Sequence, residues 1–151
     1  MSKLNFKRVN VRGQLSTVGY HAEALLRYEW PGFSFKDSYK LGSDLPSVIV
    51  AFEGKLAVGT LAFTRYKEPQ GSGEVIWINA LAVASQYQGR GIASQLIELG
   101  CKEVESFSQL FLYVYTDIPK LYTKLGWIKL DEQCEPNHFV LRFEIKKGEY
   151  A

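Results

Sequence analysis

The stretch Gln86-Tyr87-Gln88-Gly89-Arg90-Gly91-Ile92-Ala93 lies between an apolar run at 75–83 and an amphipathic segment, and it constrains this chain more than any other feature. Strand, glycine loop and helix in that order set the start of a helix at the end of a strand. The first N–H groups of a helix lack internal partners, and the helix dipole adds partial positive charge there. Gly89 and Gly91 put no Cβ in the way of an approaching group. The local physics predicts a seat for a phosphate or pyrophosphate. Glycine pairs also occur in such turns for backbone geometry alone. The loop is not a Walker A loop, since no Lys-Ser/Thr follows Gly91. Nor is it the dinucleotide fingerprint, since Ser94 stands where a third glycine is needed.

Periodicity supplies the frame around the loop. Residues 4–12 alternate as a first strand, and Gly13 breaks them. Ser16 or Thr17 caps a helix running to about Tyr28, with Ala22, Leu25 and Leu26 inward, and Trp30-Pro31-Gly32 ends it. A short helix is predicted at 36–41. Strands at 48–52 and 56–66 flank the turn Glu53-Gly54-Lys55. The run at 75–83 is the longest and most apolar, so it reads as the central strand. The helix after the glycine loop gathers Ile92, Ala93, Leu96, Ile97, Cys101, Val104 and Phe107 on one face. A strand at 110–115 follows. Then comes a short helix capped by Thr116 or Asp117, with Pro119 in its first turn and Gly126 after its end. Strands at 127–130 and 138–145 close the chain. Strands that first pair locally and then alternate with helices predict an α/β or α+β class with a mixed sheet.

A chain of 151 residues suits one domain, 1–151, and 46% apolar content supports a folded core. Net charge of +2, with Lys3, Lys7, Arg8 and Arg12 dispersed, marks neither a nucleic-acid nor a membrane partner. Cys101 and Cys134 make no disulfide framework, and with His21 and His138 they have no metal-ligand spacing. No signal-like or membrane-length apolar run is present, so a cytoplasmic location is expected.

Gln86, Gly89 and Gly91 fill the pattern [Q/R]-x-x-G-x-[G/A]. Leu81-Ala82-Val83 precedes it, and LYTKLGW at 121–127 fits x-Y-x-K-x-G-[F/W]. Over about 47–130 the chain resembles the GNAT superfamily of acetyl-CoA-dependent N-acetyltransferases. The resemblance implies a mixed, mostly antiparallel central sheet flanked by helices, with acetyl-CoA as cosubstrate. It implies that the pyrophosphate takes N–H bonds from Gln88, Gly89, Arg90, Gly91, Ile92 and Ala93. The Arg90 side chain either joins them or stays a solvated loop charge. The pantetheine arm would lie along the backbone of Leu81, Ala82 and Val83, where the fourth and fifth strands splay. An N–H there polarises the thioester carbonyl. Tyr122 would stand beside the sulfur as general acid; the other reading is a half-buried ring packed on Leu125 and Trp127.

The base is less defined. Many family members carry Glu or Asp on the fourth strand where this chain has Asn79, which holds a water but takes no proton. Glu74, at the strand start, is far along the strand, and Glu53 reads as a solvated turn residue. Histidine titrates near neutrality, which keeps His138 a candidate. Asp117 departs from the Asn common near that place, and a capping role explains it.

The implied acceptor is a primary amine of a small molecule or a peptide, attacking directly in a ternary complex. Acceptor choice in this superfamily belongs to its variable parts, here 28–45, 67–73 and 131–138. The first carries Tyr28, Trp30, Phe33, Phe35 and Tyr39, which either form an acceptor wall or close the core. EWP and LYTKLGW resemble a branch that acetylates protein N-termini. Two other readings stay open. One is a non-catalytic acyl-CoA-binding or regulatory domain on the same fold. The other is a phosphate-binding α/β domain that prefers nucleotides. Homodimers are common in the superfamily and are left open here.

Overall fold

The computed structural model describes residues 3–146; residues 1–2 and 147–151, the ends of the expected 1–151 domain, lie outside them. Strand β1 (Leu4–Val9) turns Leu4, Phe6 and Val9 toward the core. It stops earlier than its alternation predicts because Asn10 folds back, its Oδ1 accepting the Arg12 N–H at 3.1 Å. Helix α1 (Thr17–Glu29) starts at Ser16, whose hydroxyl accepts the Gly19 N–H at 3.1 Å, and ends at Trp30 just before Pro31. Leu26 and Ala22 are buried; Leu25 is only half-buried.

Six further strands follow: β2 (Val48–Glu53), β3 (Leu56–Lys67), β4 (Glu74–Val83), β5 (Phe111–Thr116), β6 (Ile128–Lys129) and β7 (Phe139–Glu144). They form one seven-stranded sheet in the order β1-β2-β3-β4-β5-β7-β6. Every neighbouring pair is antiparallel except β4–β5, whose crossover is helix α2 (Ile92–Val104). A short helix α3 (Pro119–Thr123) links β5 to β6, with Pro119 in its first turn. The sheet is mixed and mostly antiparallel, as expected.

The helices cover opposite faces. Thr60 donates its hydroxyl to the Ala22 carbonyl of α1 at 3.3 Å. Its neighbour Gly59 points the other way, where a Cβ would lie 3.2 Å from both Ile92 and Leu96 of α2. A Cβ at Gly100 would lie 2.6 Å from Leu61. Missing side chains at these two places let α2 sit close on the sheet and fix where its first turn falls.

Phe35 and Tyr39 of the aromatic segment after α1 close the core, whereas Trp30 lines the cavity that also holds Asn79 and Tyr122. A single 3-10 turn, Phe35–Asp37, stands where a short helix at 36–41 was expected. Phe35 and Tyr39 are fully buried, with Phe33 edge-on to Phe35 at 5.4 Å. The Tyr39 hydroxyl donates to the Pro46 carbonyl at 2.8 Å and accepts the Phe63 N–H at 3.0 Å. Burial holds that phenol well above its ordinary range. Of the five rings, Tyr28 and Trp30 remain at the surface. No helix among the described residues is long and apolar enough to cross a membrane.

Candidate active site

Two strand pairings define an opening in the sheet. Parallel β4 and β5 are in register only at Trp77↔Tyr113 and Ile78↔Val114. Beyond them each strand keeps its outer partner, β4 with β3 as far as Gly59↔Val83 and β5 with β7 as far as Thr116↔Phe139. The two strands part while both stay anchored. The parting begins at a β-bulge: pairing steps from Ala62↔Ala80 to Phe63↔Ile78, which leaves Asn79 as the extra residue on β4. An alternating strand would send Asn79 to one face. The bulge instead leaves it exposed at the mouth of the opening.

At one end of the opening lies the glycine loop. Gly89 (φ 80°) and Gly91 (φ 81°) both adopt the left-handed conformation, and a Cβ on either would meet open space. Gln95 is the first α2 residue to close a backbone bond, onto Gly91 O at 3.1 Å. The N–H groups of Gly91, Ile92, Ala93 and Ser94 have no partner among the described residues. They face a cleft of about 250 Å³. This open, donor-rich cradle fits a phosphate group. The loop is tied down from behind: Tyr87 donates its hydroxyl to Glu53 at 2.5 Å. Glu53, expected as a solvated turn residue, thus anchors the cradle across the β2–β3 hairpin.

Gln88 is used differently from the expected cradle role, and the Arg90 side chain stays on the loop. Gln88 turns its N–H back to Ser85 O at 3.4 Å and its side-chain amide to Val83 O at 3.0 Å. Arg90 lies with its guanidinium 4.8 Å from the Tyr87 ring and donates to Gln86 O at 3.2 Å. Its guanidinium is thus held by the loop itself. Lys124, which the sequence reading did not single out, lines the cleft together with Leu121. The signal was present: Leu121 and Lys124 are three residues apart, hence on one side of a helical turn.

At the other end the opening widens to a cavity of about 600 Å³. Asn79, Leu81, Tyr122 and His138 all line it. Tyr122, on α3, is 3% exposed and meets Trp127 edge-on at 5.1 Å between ring centres. Its hydroxyl makes no hydrogen bond among the described residues and is not sealed from the cavity. Burial, and then the neighbouring Cys101, hold the phenol well above its ordinary range. The ring thus packs on Trp127, fully buried where half-burial was expected, and its hydroxyl is left unbonded.

The sequence could not place His138. It stacks on Tyr115 at 5.0 Å and 19°, and its Nδ1 lies 3.0 Å from the Pro136 carbonyl. A carbonyl only accepts, so Nδ1 carries a proton, and in the neutral ring the lone pair falls on Nε2. Glu74 lines neither the cleft nor the cavity. Asp117 lines the cavity but does not cap α3; Ile118 holds the cap position, and Thr116 Oγ1 accepts the Ile118 N–H at 3.0 Å. Val83 reaches the phosphate cleft and Leu81 the larger cavity; Ala82 between them is buried.

The family model described as acetyltransferase (GNAT) domain matches residues 44–129. No curated protein sequence matches the chain. Among solved structures, the GNAT family N-acetyltransferase YhbS from Escherichia coli, in complex with CoA, superposes with a TM-score of 0.69 at 20% identity, covering 97% of this chain and 83% of that one. Arabidopsis thaliana Naa50, in complex with the bisubstrate analogue CoA-Ac-MVNAL, gives 0.67 at 19% identity, covering 93% and 97%. An IAA acetyltransferase from Bacillus cereus gives 0.67 at 17% identity, covering 94% and 99%. Such identities carry the fold alone. The family model spans more than half of the sequence and includes both the glycine loop and Tyr122, so this chain belongs to the GNAT acetyltransferase family.

Proposed function

We propose that the protein moves the acetyl group of acetyl-CoA to a primary amine by direct attack in a ternary complex. One observation carries the reading: the unpaired N–H groups of α2 and the free Tyr122 hydroxyl stand at the two ends of one opening between β4 and β5. Coenzyme A in the YhbS and Naa50 complexes supports the same cosubstrate here.

Bound acetyl-CoA supplies an acetyl group activated as a thioester. The N–H groups of Gly91, Ile92 and Ala93, with Gly89 keeping the approach open, hold its pyrophosphate, and Lys124 adds a positive charge at the same cleft. Backbone at Leu81, Ala82 and Val83 borders the arm. In the transfer one C–S bond breaks and one C–N bond forms; the amine loses a proton and the departing sulfur gains one. Tyr122 holds the second proton at its hydroxyl. Burial raises this phenol, and it equally raises the conjugate acid of a thiolate formed beside it, so the transfer does not become steeply uphill.

His138 takes the amine's proton on Nε2, with Asn79 holding a water between them. This assigns the base that the fourth strand lacks. His138→Gln is expected to lower kcat/KM about 100-fold at neutral pH while acetyl-CoA binding is unchanged. A variant with wild-type kcat/KM contradicts the assignment. The presence of Asn79 in place of a carboxylate favours a second reading, a non-catalytic acyl-CoA-binding domain. Amine-dependent release of CoA, with acetylated amine formed in equal amount, separates the two.

A further inference from the structure

A second cavity, of about 560 Å³, adjoins the first and shares Ile78, Asn79 and Tyr115 with it. Its walls come from the 67–70 loop and the 132–134 segment, two of the variable regions in the sequence. Gln70 Nε2 donates to Glu132 Oε2 at 3.1 Å and joins them. Neither loop contributes to the coenzyme groove.

The chemistry of this cavity is specific. Glu68 and Glu132 line it, both half-buried, and neither has an ion-pair partner among the described residues. A carboxylate partly withdrawn from water and left without a cation is costly, and a ligand cation relieves that cost. Trp77 packs on Tyr113 at 5.2 Å between ring centres and meets Tyr66 edge-on at 5.9 Å. Tyr66, Trp77 and Tyr115 thus give the cavity aromatic walls between its carboxylates and Asn79. Aromatic faces and carboxylates together recognise an organic cation. Of the cations nearby, Lys67 is an exposed wall residue, and Arg142 is turned onto the Phe111 ring at 4.0 Å.

We infer that the acceptor is an aliphatic amine bearing a second cationic centre, with its reacting nitrogen at Asn79 and its second charge between Glu68 and Glu132. This rests on the transfer reading above. Acetylation removes the charge on one nitrogen and leaves the other charged, so the product is held less tightly than the substrate. The cavity volume lies within the range that encloses a small ligand.

The test compares 1,4-diaminobutane with butylamine, which differ by the second cation. The wild-type protein is expected to prefer the diamine in kcat/KM by at least about tenfold, and Glu68→Gln with Glu132→Gln to collapse that preference toward one. Binding of 1,4-diaminobutane to the CoA-loaded protein is measured calorimetrically in parallel, with thermal stabilisation by CoA showing that each variant is folded. Should no amine turn over while the diamine binds and the double variant loses it, the cavity assignment stands and the transfer reading fails. Equal use of the two amines overturns the inference. So does diamine binding unchanged in the double variant, or in Glu68→Gln alone if the double variant does not fold. A preference for a peptide N-terminus without a second cation overturns it as well.

Discussion

Tyr122→Phe is expected to lower kcat by about 10²- to 10⁴-fold while the acetyl-CoA dissociation constant stays within about twofold. The substitution keeps the ring, and with it the edge-on contact to Trp127, and removes only the hydroxyl that opens on the cavity. Because no protein group bonds that hydroxyl, its loss orphans no partner, and the fold should tolerate it. The pH profile supplies a second readout. Burial and the Cys101 side chain raise the phenol, so it stays protonated, and competent as an acid, through the whole range below about pH 10. The wild-type kcat profile should therefore show no falling limb from this group below that pH. Steady-state rates and calorimetric binding on the same preparations check both points. A variant with wild-type kcat would reduce Tyr122 to a packing residue.

Gly91→Glu is expected to weaken acetyl-CoA binding at least about 100-fold. Two effects combine. At φ 81° any L side chain is strained, at a cost of roughly 1–2 kcal/mol of stability. The added carboxylate also projects into the open space that the cradle leaves for phosphate, and like charge is repelled there. Gly91→Ala separates the two effects, since it carries the strain without the charge. In the wild-type protein, ligand at a hundredfold its dissociation constant should add about 2.7 kcal/mol of stability. That gain should vanish in a folded Gly91→Glu protein. Undiminished affinity would move the coenzyme away from this loop.

Local rules made much of this site legible. Glycines at 89 and 91 announce a left-handed backbone, and the apolar run before them announces a central strand. Together they locate the cradle. Three things lay outside the reach of such rules. The bulge at Asn79 depends on the β3 register, which no local pattern in β4 encodes. The direction of Arg90 depends on the face of Tyr87, and the opposite choice leaves the same sequence pattern. His138 reaches the cavity only because β7 crosses to pair with β5 ahead of the shorter β6, a long-range result of topology. The aromatic run after α1 shows a different failure. Phe35 and Tyr39 have the composition of a binding wall, but buried bonds from the Tyr39 hydroxyl to β3 and to Pro46 commit these two rings to the core, while Trp30 lines the cavity. Residue type alone does not separate those two uses. The 67–73 and 131–138 segments were visible as variable parts, whereas the meeting of Glu68 and Glu132 on one cavity was not.

The central claim is direct acetyl transfer, and the most direct measurement of it is an initial-rate study with acetyl-CoA and an amine both varied. Released CoA thiol and acetylated amine are counted in the same samples. The expected result is amine-dependent thiol release, one acetylated amine per thiol, and double-reciprocal lines that intersect. Acetyl-CoA that binds while no amine raises thiol release above hydrolysis would contradict it, as would parallel lines with acetyl left on the protein.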